Sequence, residues 1–165
     1  MEDFGKTMPM LGDLRDKSMR DRHWDQVRLE VKDEFQEKSD EFTLETIFQL
    51  NFLEYENEIG NLTDEAKKQL KVEEDLDVIE YKWTEDPESD LQIAKERSKA
   101  DNEEFYKVAG TQNIMDLIED HSVKLATHKA SPFYKEFAYR IDPWEKNLAD
   151  ITTILDSLIV ATSSW

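Results

Sequence analysis

Residues 131–158 read SPFYKEFAYRIDPWEKNLADITTILDSL, and this stretch indicates which kind of fold the chain adopts. Its large apolar residues recur at spacings of three and four, which places them on one face of an α-helix. Ser131-Pro132 is typical of a helix start, with serine as the N-cap. Pro143 interrupts the pattern, so we expect the helix to kink or restart there, capped by Asp142. The apolar seam consists of Phe133, Phe137, Ile141, Trp144, Leu148, Ile151, Leu155 and Leu158.

Two apolar stripes predict helices in the N-terminal third of the chain. The first helix begins near Arg20 and ends at the Ser39-Asp40 break, with a stripe of Trp24, Val27, Val31 and Phe35. The second begins after Thr43 as N-cap and ends at Gly60, because glycine readily adopts the left-handed conformation that terminates many helices. Its apolar residues are Leu44, Ile47, Phe48, Phe52 and Ile59.

Two further stripes predict helices in the middle of the chain. Thr63 is the expected N-cap of a helix of roughly 20 residues that ends at Pro87. Another helix is expected after Gly110. The first stripe is Val72, Leu76, Ile79 and Trp83, and the second is Ile114, Leu117, Ile118, His121 and Leu125. The predicted fold class is therefore mainly α, an elongated helical bundle.

Residues 88–110 differ from the helical segments. Leu91 and Ile93 alternate with polar neighbours, as do Tyr106 and Val108, and a turn-like stretch lies between the two pairs at 99–102. Alternation with a period of two is typical of half-buried strands. We expect one short β-hairpin at about 91–108, the alternative being a charged loop.

The two ends of the chain lack the regular pattern. Residues 1–12 contain Gly5, Pro9 and Gly12, so we expect an irregular lead in which Met8, Met10, Leu11 and Leu14 are docking residues. The final SLIVATSSW contains neither glycine nor proline to end the seam. We therefore expect residues 1–165 to form a single partial domain that is truncated at its C-terminal end.

The charge of the chain excludes several classes of partner. Its 165 residues include 39 acidic and 21 basic side chains, which gives a formal net charge of −18. Nucleic acids and anionic membrane surfaces bind proteins through Lys and Arg, so neither is expected as a ligand. A basic partner, or a larger assembly in which this chain is an acidic part, is the better expectation.

Cysteine usage and hydropathy restrict the compartment. The chain contains no cysteine, which excludes disulfides and thiolate chemistry. The N-terminal MEDFGK has no apolar run of a secretory signal, and no apolar stretch approaches the roughly 20 residues that span a bilayer. We therefore expect a soluble chain inside the cell.

Catalytic and cofactor-binding patterns are missing from the sequence. None of the four glycines belongs to a phosphate-binding loop motif. His121 and His128 are seven residues apart, hence on one helix face, but the paired Glu-x-x-His motifs of di-iron bundles are absent. Ser122 neighbours His121, yet adjacent helix positions point apart. We expect no catalytic residue, no metal ligand and no cofactor in this segment, and regard His121 as a half-buried histidine bonded to a carboxylate or a carbonyl.

Residues 19–27, MRDRHWDQV, contain the residue types of catalysis and phosphate recognition, but their phase favours a structural role. Trp24 begins the apolar stripe and is expected to face inward, with His23 at the edge of that face. Arg20 lies four residues before Trp24 and is placed to stack on its ring or pair with a carboxylate. We select Arg22, His23 and Trp24, with the later Trp83 and Trp144, as structural or interface residues.

The order of these motifs resembles the linker region of dynein heavy chains over about residues 8–165. MPMLGDLRDKSMRDRHWDQV resembles the start of that region, where an Arg-His-Trp triplet opens a helix. FTLETIF and NEIGNLT are similar to the following helices, and DVIEYKW to the helix that precedes a short β excursion. DLIEDHSVKLATHKASPFYKEF and PWEKNLADITTILDSLIVATSSW resemble the segments after it, although Pro143 departs from the family pattern. The Ser131-Pro132-Phe133 form favours the axonemal over the cytoplasmic type.

The resemblance implies a mechanical part of a motor. In dyneins the linker is a helical lever whose bending and straightening, driven by ATP in the AAA+ ring, moves the motor along microtubules. The implied partners are the AAA+ ring, the remainder of the same heavy chain and other dynein subunits, and the implied location is the ciliary or flagellar axoneme. The open C-terminal seam also predicts self-association of the isolated fragment. Two alternatives are an acidic helical scaffold that binds a protein partner and a carboxylate-rich metalloenzyme.

Overall fold

The computed structural model describes residues 2–39, 42–85, 92–97 and 104–163. Most of these residues are helical, in agreement with the predicted fold class. No helix within the described ranges is both long and apolar enough to cross a membrane. The elements are α1 (Glu2–Leu14), α2 (Asp21–Val31), α3 (Leu44–Gln49), a 3₁₀ helix (Phe52–Tyr55), α4 (Glu56–Thr84), β1 (Gln92–Arg97), β2 (Glu104–Ala109), α5 (Thr111–Lys129) and α6 (Tyr134–Ser163).

The chain divides into two compact units, and the expectation of a single partial domain over residues 1–165 stays a prediction. Unit 1 is residues 1–71 and unit 2 is residues 72–165. The core of unit 1 contains Met10, Leu14, Val27, Val31, Phe35, Ile47, Phe52 and Ile59. The core of unit 2 contains Val72, Leu76, Ile79, Ile114, Ile118, Leu125, Phe137, Ile141, Leu148 and Leu155. Apolar periodicity identifies buried faces but does not say which faces pack together, so the division was not visible in the sequence.

The N-terminal lead is helical, and the expectation of an irregular segment is wrong. α1 includes Gly5, Pro9 and Gly12 within its length. It buries one face at helical spacing, and that burial outweighs the low helix propensity of three residues. Of the predicted docking residues, Met8 is exposed while Leu11 is half-buried. The buried residues of α1 are Thr7, Met10 and Leu14.

α2 is shorter than predicted. It ends at Val31, where Lys32 adopts a left-handed conformation with φ of 57°, well before the Ser39-Asp40 break. Phe35 is buried although it lies beyond the end of the helix. The spacing of Val31 and Phe35 matches a helix by coincidence, because Phe35 returns to the core from the following loop.

The predicted helix end at Gly60 and helix start at Thr63 are both wrong. Thr43 is the N-cap of α3 as expected, but α4 then runs without interruption through Gly60 and Thr63. The Thr63 hydroxyl donates to the Gly60 carbonyl at 3.0 Å, one turn back in the same helix. The helix continues because its buried stripe is unbroken: Ile59, Thr63, Ala66, Gln69, Val72, Leu76 and Ile79. The predicted stop at Pro87 lies outside the described residues.

The segment predicted as a hairpin contains two strands. β1 pairs antiparallel with β2, with Ile93 opposite Val108 and Lys95 opposite Tyr106. The hairpin was predicted at about 91–108, whereas the strands occupy Gln92–Arg97 and Glu104–Ala109. Leu91 and the predicted turn at 99–102 lie outside the described residues.

α6 begins later than its sequence signal and does not restart at Pro143. The Ser131 carbonyl accepts the Tyr134 N–H at 3.2 Å, while the buried Ser131 hydroxyl has no hydrogen-bond partner in the described part of the chain. Pro143 lies inside the continuous helix. Asp142 does not cap a new segment, since its carboxylate accepts the Tyr134 hydroxyl at 2.8 Å. The seam is buried on both sides of the proline, which favours one helix.

The continuity of α4 predicts that Gly60→Ala stabilises the chain. A Cβ at Gly60 meets no atom within 4 Å, and alanine has the higher helix propensity. We expect the free energy of unfolding to rise by about 0.5–1 kcal/mol, measured by urea denaturation. Gly110→Ala is the matched control and should destabilise, because Gly110 has φ of +81°. A destabilised Gly60→Ala variant would show that the helix ends at Gly60 after all.

Candidate functional site

The stretch at 19–27 buries its histidine more deeply than its tryptophan. His23 is 1% exposed, whereas Trp24 is half-buried at the side of the helix. This reverses the predicted arrangement, in which Trp24 faced inward and His23 lay at the edge. The buried face of α2 follows His23, Val27 and Val31 at spacings of four. The prediction placed Trp24 rather than His23 inward because its stripe counted apolar residues only.

His23 has hydrogen bonds at both ring nitrogens. Its Nδ1 accepts the backbone N–H of Arg20 at 3.0 Å, and its Nε2 lies 3.0 Å from Oε1 of Gln69. An amide oxygen can only accept, so Nε2 carries the proton and the ring is neutral. At the third position of the helix, His23 thus occupies the place that Glu or Gln takes in a capping box.

Arg22 and His23 converge on a single amide of α4. The Arg22 Nε donates to Gln69 Oε1 at 2.8 Å, the same oxygen that receives the His23 proton. The Gln69 amide nitrogen in turn donates to Glu65 Oε1 at 3.1 Å. Gln69 is 3% exposed and was not selected from the sequence, because a glutamine in a charged helix gives no signal of its own. We call Arg22, His23, Gln69 and Glu65 the α2–α4 network.

Trp24 belongs to an aromatic cluster with the loop that follows α2. Its ring packs edge-on against Phe35 and Phe42, with centroids 6.1 Å and 5.8 Å away. Phe35 and Phe42 stack at 5.2 Å, and Phe52 lies 5.6 Å from Phe35. Arg20 donates from its guanidinium to the Lys17 carbonyl at 2.8 Å, and its expected stacking on Trp24 or pairing with a carboxylate stays a prediction. Phe35 and Phe42 belong to the loop, and both pack against Trp24. The cluster therefore fixes the loop to α2.

Arg28 closes the same loop over the aromatic cluster. Its guanidinium carbon lies 5.4 Å from the centre of the Phe35 ring, and its Nε donates to the Phe35 carbonyl at 2.9 Å. Its remaining nitrogens pair with Asp25 and Glu37. The loop after α2 is therefore fixed to its own helix by stacking, by a backbone contact and by charge.

Trp24→Ala should destabilise unit 1 by about 3 kcal/mol, since it removes a large aromatic side chain from a packed cluster. A double-mutant cycle with Phe42→Leu should give a coupling of about 0.5–1.5 kcal/mol for the edge-on contact. Leu29→Ala is the control, because Leu29 lies on the same helix at 76% exposure and should change stability by less than about 0.5 kcal/mol. Urea denaturation measures the four proteins of the cycle and the control. Equal losses for Trp24→Ala and Leu29→Ala would contradict the cluster.

In unit 2, Trp83 is bonded to His121. The indole N–H of Trp83 donates to Nδ1 of His121 at 2.9 Å, and the two rings meet edge-on at 6.2 Å. His121 is therefore buried and neutral, bonded to an indole rather than to the expected carboxylate or carbonyl. Burial lowers the pKa of His121 below its usual 6.5, Lys124 and Lys82 lower it further, and Asp120 opposes them.

Polar contacts join α4 to both following helices of unit 2. His128 Nε2 lies 3.0 Å from Asp75 Oδ2, which connects α5 to α4. The Arg140 guanidinium donates to Asp77 and Glu80, at 2.6 Å and 2.8 Å, which connects α6 to α4. Burial lowers the pKa of Arg140, but the bonds to both carboxylates raise it by more. The polar partners of α4 thus lie on both sides of its apolar stripe, Asp75 on one side and Asp77 and Glu80 on the other.

Trp144, the last of the selected residues, is half-buried against the core of unit 2. It lies in α6 near Ile141 and Leu148, both of which are buried. The five selected residues therefore divide between the units, with Arg22, His23 and Trp24 in unit 1 and Trp83 and Trp144 in unit 2. Their assignment as interface residues stays a prediction.

The His121–Trp83 pair predicts acid sensitivity of unit 2. The folded chain binds a proton at His121 less readily than the unfolded chain does, so the free energy of unfolding falls as the pH drops below about 6.5. His121→Gln should make this fall shallower, because glutamine keeps an acceptor for the indole but does not titrate. Thermal melts between pH 7.5 and 5.5 measure the effect. His128→Gln serves as the control; an equal flattening in both variants would contradict the role of His121.

The chemistry around these residues is that of packing. Within the described residues, no three His, Asp or Glu side chains form a group that could hold a metal ion. Both ring nitrogens of His23, Nδ1 of His121 and Nε2 of His128 are engaged with protein atoms. The arrangement can orient helices and fix loops, and its aromatic and amide groups supply no nucleophile.

Comparison with known proteins connects this architecture to a family. A family model described as "Dynein heavy chain, N-terminal region 2" matches residues 1–165, the whole chain. The chain belongs to the dynein heavy chain family. It is 34% identical over all 165 residues to dynein axonemal heavy chain 2 of Homo sapiens and, equally, of Mus musculus. It is 27% identical to the dynein-1-beta heavy chain of the flagellar inner arm I1 complex of Chlamydomonas reinhardtii.

The match covers a small part of a much longer protein. Each of these relatives is covered over 4% of its own length, while the chain itself is covered completely. The family resemblance seen in the sequence is thereby confirmed. The α2–α4 network, the Trp24 cluster and the Trp83–His121 pair are features of this N-terminal region of a dynein heavy chain.

Proposed function

We propose that this chain is a force-transmitting lever segment of the linker in an axonemal dynein heavy chain. The observation that carries the proposal is the match of the whole chain to the N-terminal region 2 of dynein heavy chains. The axonemal assignment is supported by the names of the relatives, which include axonemal and flagellar heavy chains from an alga and two mammals. The corresponding location is the axoneme of a cilium or flagellum.

The contacts of α4 support a mechanical role. Its 29 residues form one continuous helix of about 44 Å. In unit 1, Gln69 of α4 is hydrogen-bonded to α2. In unit 2, Asp75 of α4 is bonded to α5, and Asp77 and Glu80 are bonded to α6. In each unit, these contacts fix α4 to its neighbouring helices. This is the property that a lever segment requires.

The partners that we propose follow from the same role. They are the AAA+ ring and the remainder of the same heavy chain, with other dynein subunits as further candidates and with no nucleic acid or membrane among them. The segment itself would bind no cofactor and catalyse no reaction, the nucleotide sites being elsewhere in the heavy chain. The large excess of acidic residues suits contact with basic surfaces of such an assembly.

The proposal predicts uncoupling of ATPase and movement when the head of the segment is loosened. In an intact heavy chain that contains this segment, Trp24→Ala should slow microtubule gliding while nucleotide binding and ATP hydrolysis persist. The reason is that the aromatic cluster fixes the loop after α2, whereas the nucleotide sites lie elsewhere. Gliding speed and ATPase rate are measured on the same preparation.

The exposed Leu29→Ala on the same helix is the matched control and should glide at the wild-type speed. Circular dichroism of the isolated chain separates local loosening from loss of the whole fold. A Trp24→Ala motor that moves at normal speed, despite a measured loss of stability in the segment, would contradict the lever function.

A further inference from the structure

The C-terminal end of α6 carries apolar side chains around the whole helix. Residues 158–161 read LIVA, and four consecutive helical positions, about 100° apart, cover the full circumference. A surface helix has one apolar stripe, whereas a helix that is apolar on all sides belongs in an enclosed position. Leu155 is buried, but Leu158 is 37% exposed and Val160 is 63% exposed. The described part of unit 2 therefore does not enclose this end of α6.

A second apolar row lies beside the buried seam of α6. Ile154, Leu158 and Ala161 follow one another at spacings of four and three, which places them on one face of the helix. All three are exposed, Ile154 at 58%, while Leu155 on the adjacent face belongs to the core of unit 2. Residues at this spacing are those with which a helix packs into an apolar groove. We call Ile154, Leu158 and Ala161 the α6 row.

The charges beside the α6 row indicate the chemistry of its partner. Residues 147–165 contain two charged side chains, Asp150 and Asp156, and no Lys or Arg. Asp150 precedes Ile154 by four residues, so it lies on the same face as the row. Neither carboxylate forms an ion pair within the described ranges of the chain. An apolar surface flanked by Lys or Arg would complement this arrangement.

The same charges disfavour a second copy of the chain as the occupant. Two such ends packed together would bring carboxylates against carboxylates, and each chain carries a net charge of −18. The parent polypeptide is the better source of a partner. The chain covers only 4% of the length of its relatives, so most of a heavy chain of that length lies outside this segment. Covalent connection keeps such a surface at a high effective concentration.

We propose that the α6 row docks on an apolar, Lys- or Arg-flanked surface elsewhere in the same heavy chain. In this contact Leu158 and Ile154 are covered by apolar side chains, and Asp150 pairs with a basic side chain at the edge of the surface. The contact goes beyond the lever function, because it holds whether or not the segment transmits force.

Site-specific photo-cross-linking in an intact heavy chain tests the contact. Leu158 is replaced by p-benzoylphenylalanine in one protein and Ile154 in a second, and mass spectrometry identifies the cross-linked peptides after irradiation. We expect both positions to reach the same apolar segment of the heavy chain, with Lys or Arg within about one helical turn. Val123 is the matched control, since it is 60% exposed on α5 and should give only background yield at that segment.

A charge reversal tests the chemistry of the partner. Asp150→Lys should lower the cross-link yield from position 158 roughly two- to fivefold, because it places a cation against the basic flank. Glu119→Lys makes the same change of charge at an exposed position of α5 and should leave the yield unchanged.

A mixture of ¹⁵N-labelled and unlabelled heavy chains separates cross-links within one chain from those between two. Cross-links from positions 154 and 158 that reach only a second copy or another polypeptide would overturn the proposal, as would yields no higher than that of position 123. An Asp150→Lys motor that cross-links as efficiently as the wild type would contradict the basic flank.

Discussion

The unbroken buried stripe of α4 is the constraint on which both units depend. From Ile59 to Ile79 this helix supplies a residue to the interior at nearly every turn, and its polar positions receive the side chains of other helices. Burial of large apolar side chains is the main favourable term in folding, so the stripe overrides the local effect of Gly60. Without this continuous stripe, each core would lack the buried residues that α4 supplies.

The sequence was sufficient for the mainly helical class and for the family, but not for α1, for several helix boundaries or for the phase of α2. Val27 and Val31 were correctly placed on the buried face, and Thr43 was correctly placed as an N-cap. The stripe gave the inward place to Trp24 because it counted apolar side chains only, and it took Phe35 for a helical residue although Phe35 lies outside the helix. A periodic count cannot distinguish a residue on the next turn from one that a loop returns to the same core.

The candidate site was predictable only in part, for a related reason. Arg22, His23 and Trp24 could be selected from the sequence because charged and aromatic residues are adjacent there. The residues that they contact could not be selected in this way. Gln69 is 46 residues away from His23 and is one polar residue among many on a charged helix. Trp83 and His121 were both noticed, yet the bond between them depends on how α5 packs on α4. Such pairings are set by tertiary packing rather than by local pattern.

The polar contacts of α4 differ in strength, and this difference determines which contacts would break first under force. The contact of Arg140 with Asp77 and Glu80 is partly open to solvent, and exposed ion pairs contribute little to stability. The Gln69 contact joins two neighbouring residues of α2 through one buried oxygen, so breaking both bonds would leave that oxygen unsatisfied. If the segment transmits force as proposed, α2 should follow α4 closely under load, while the ion pairs of α6 should yield first.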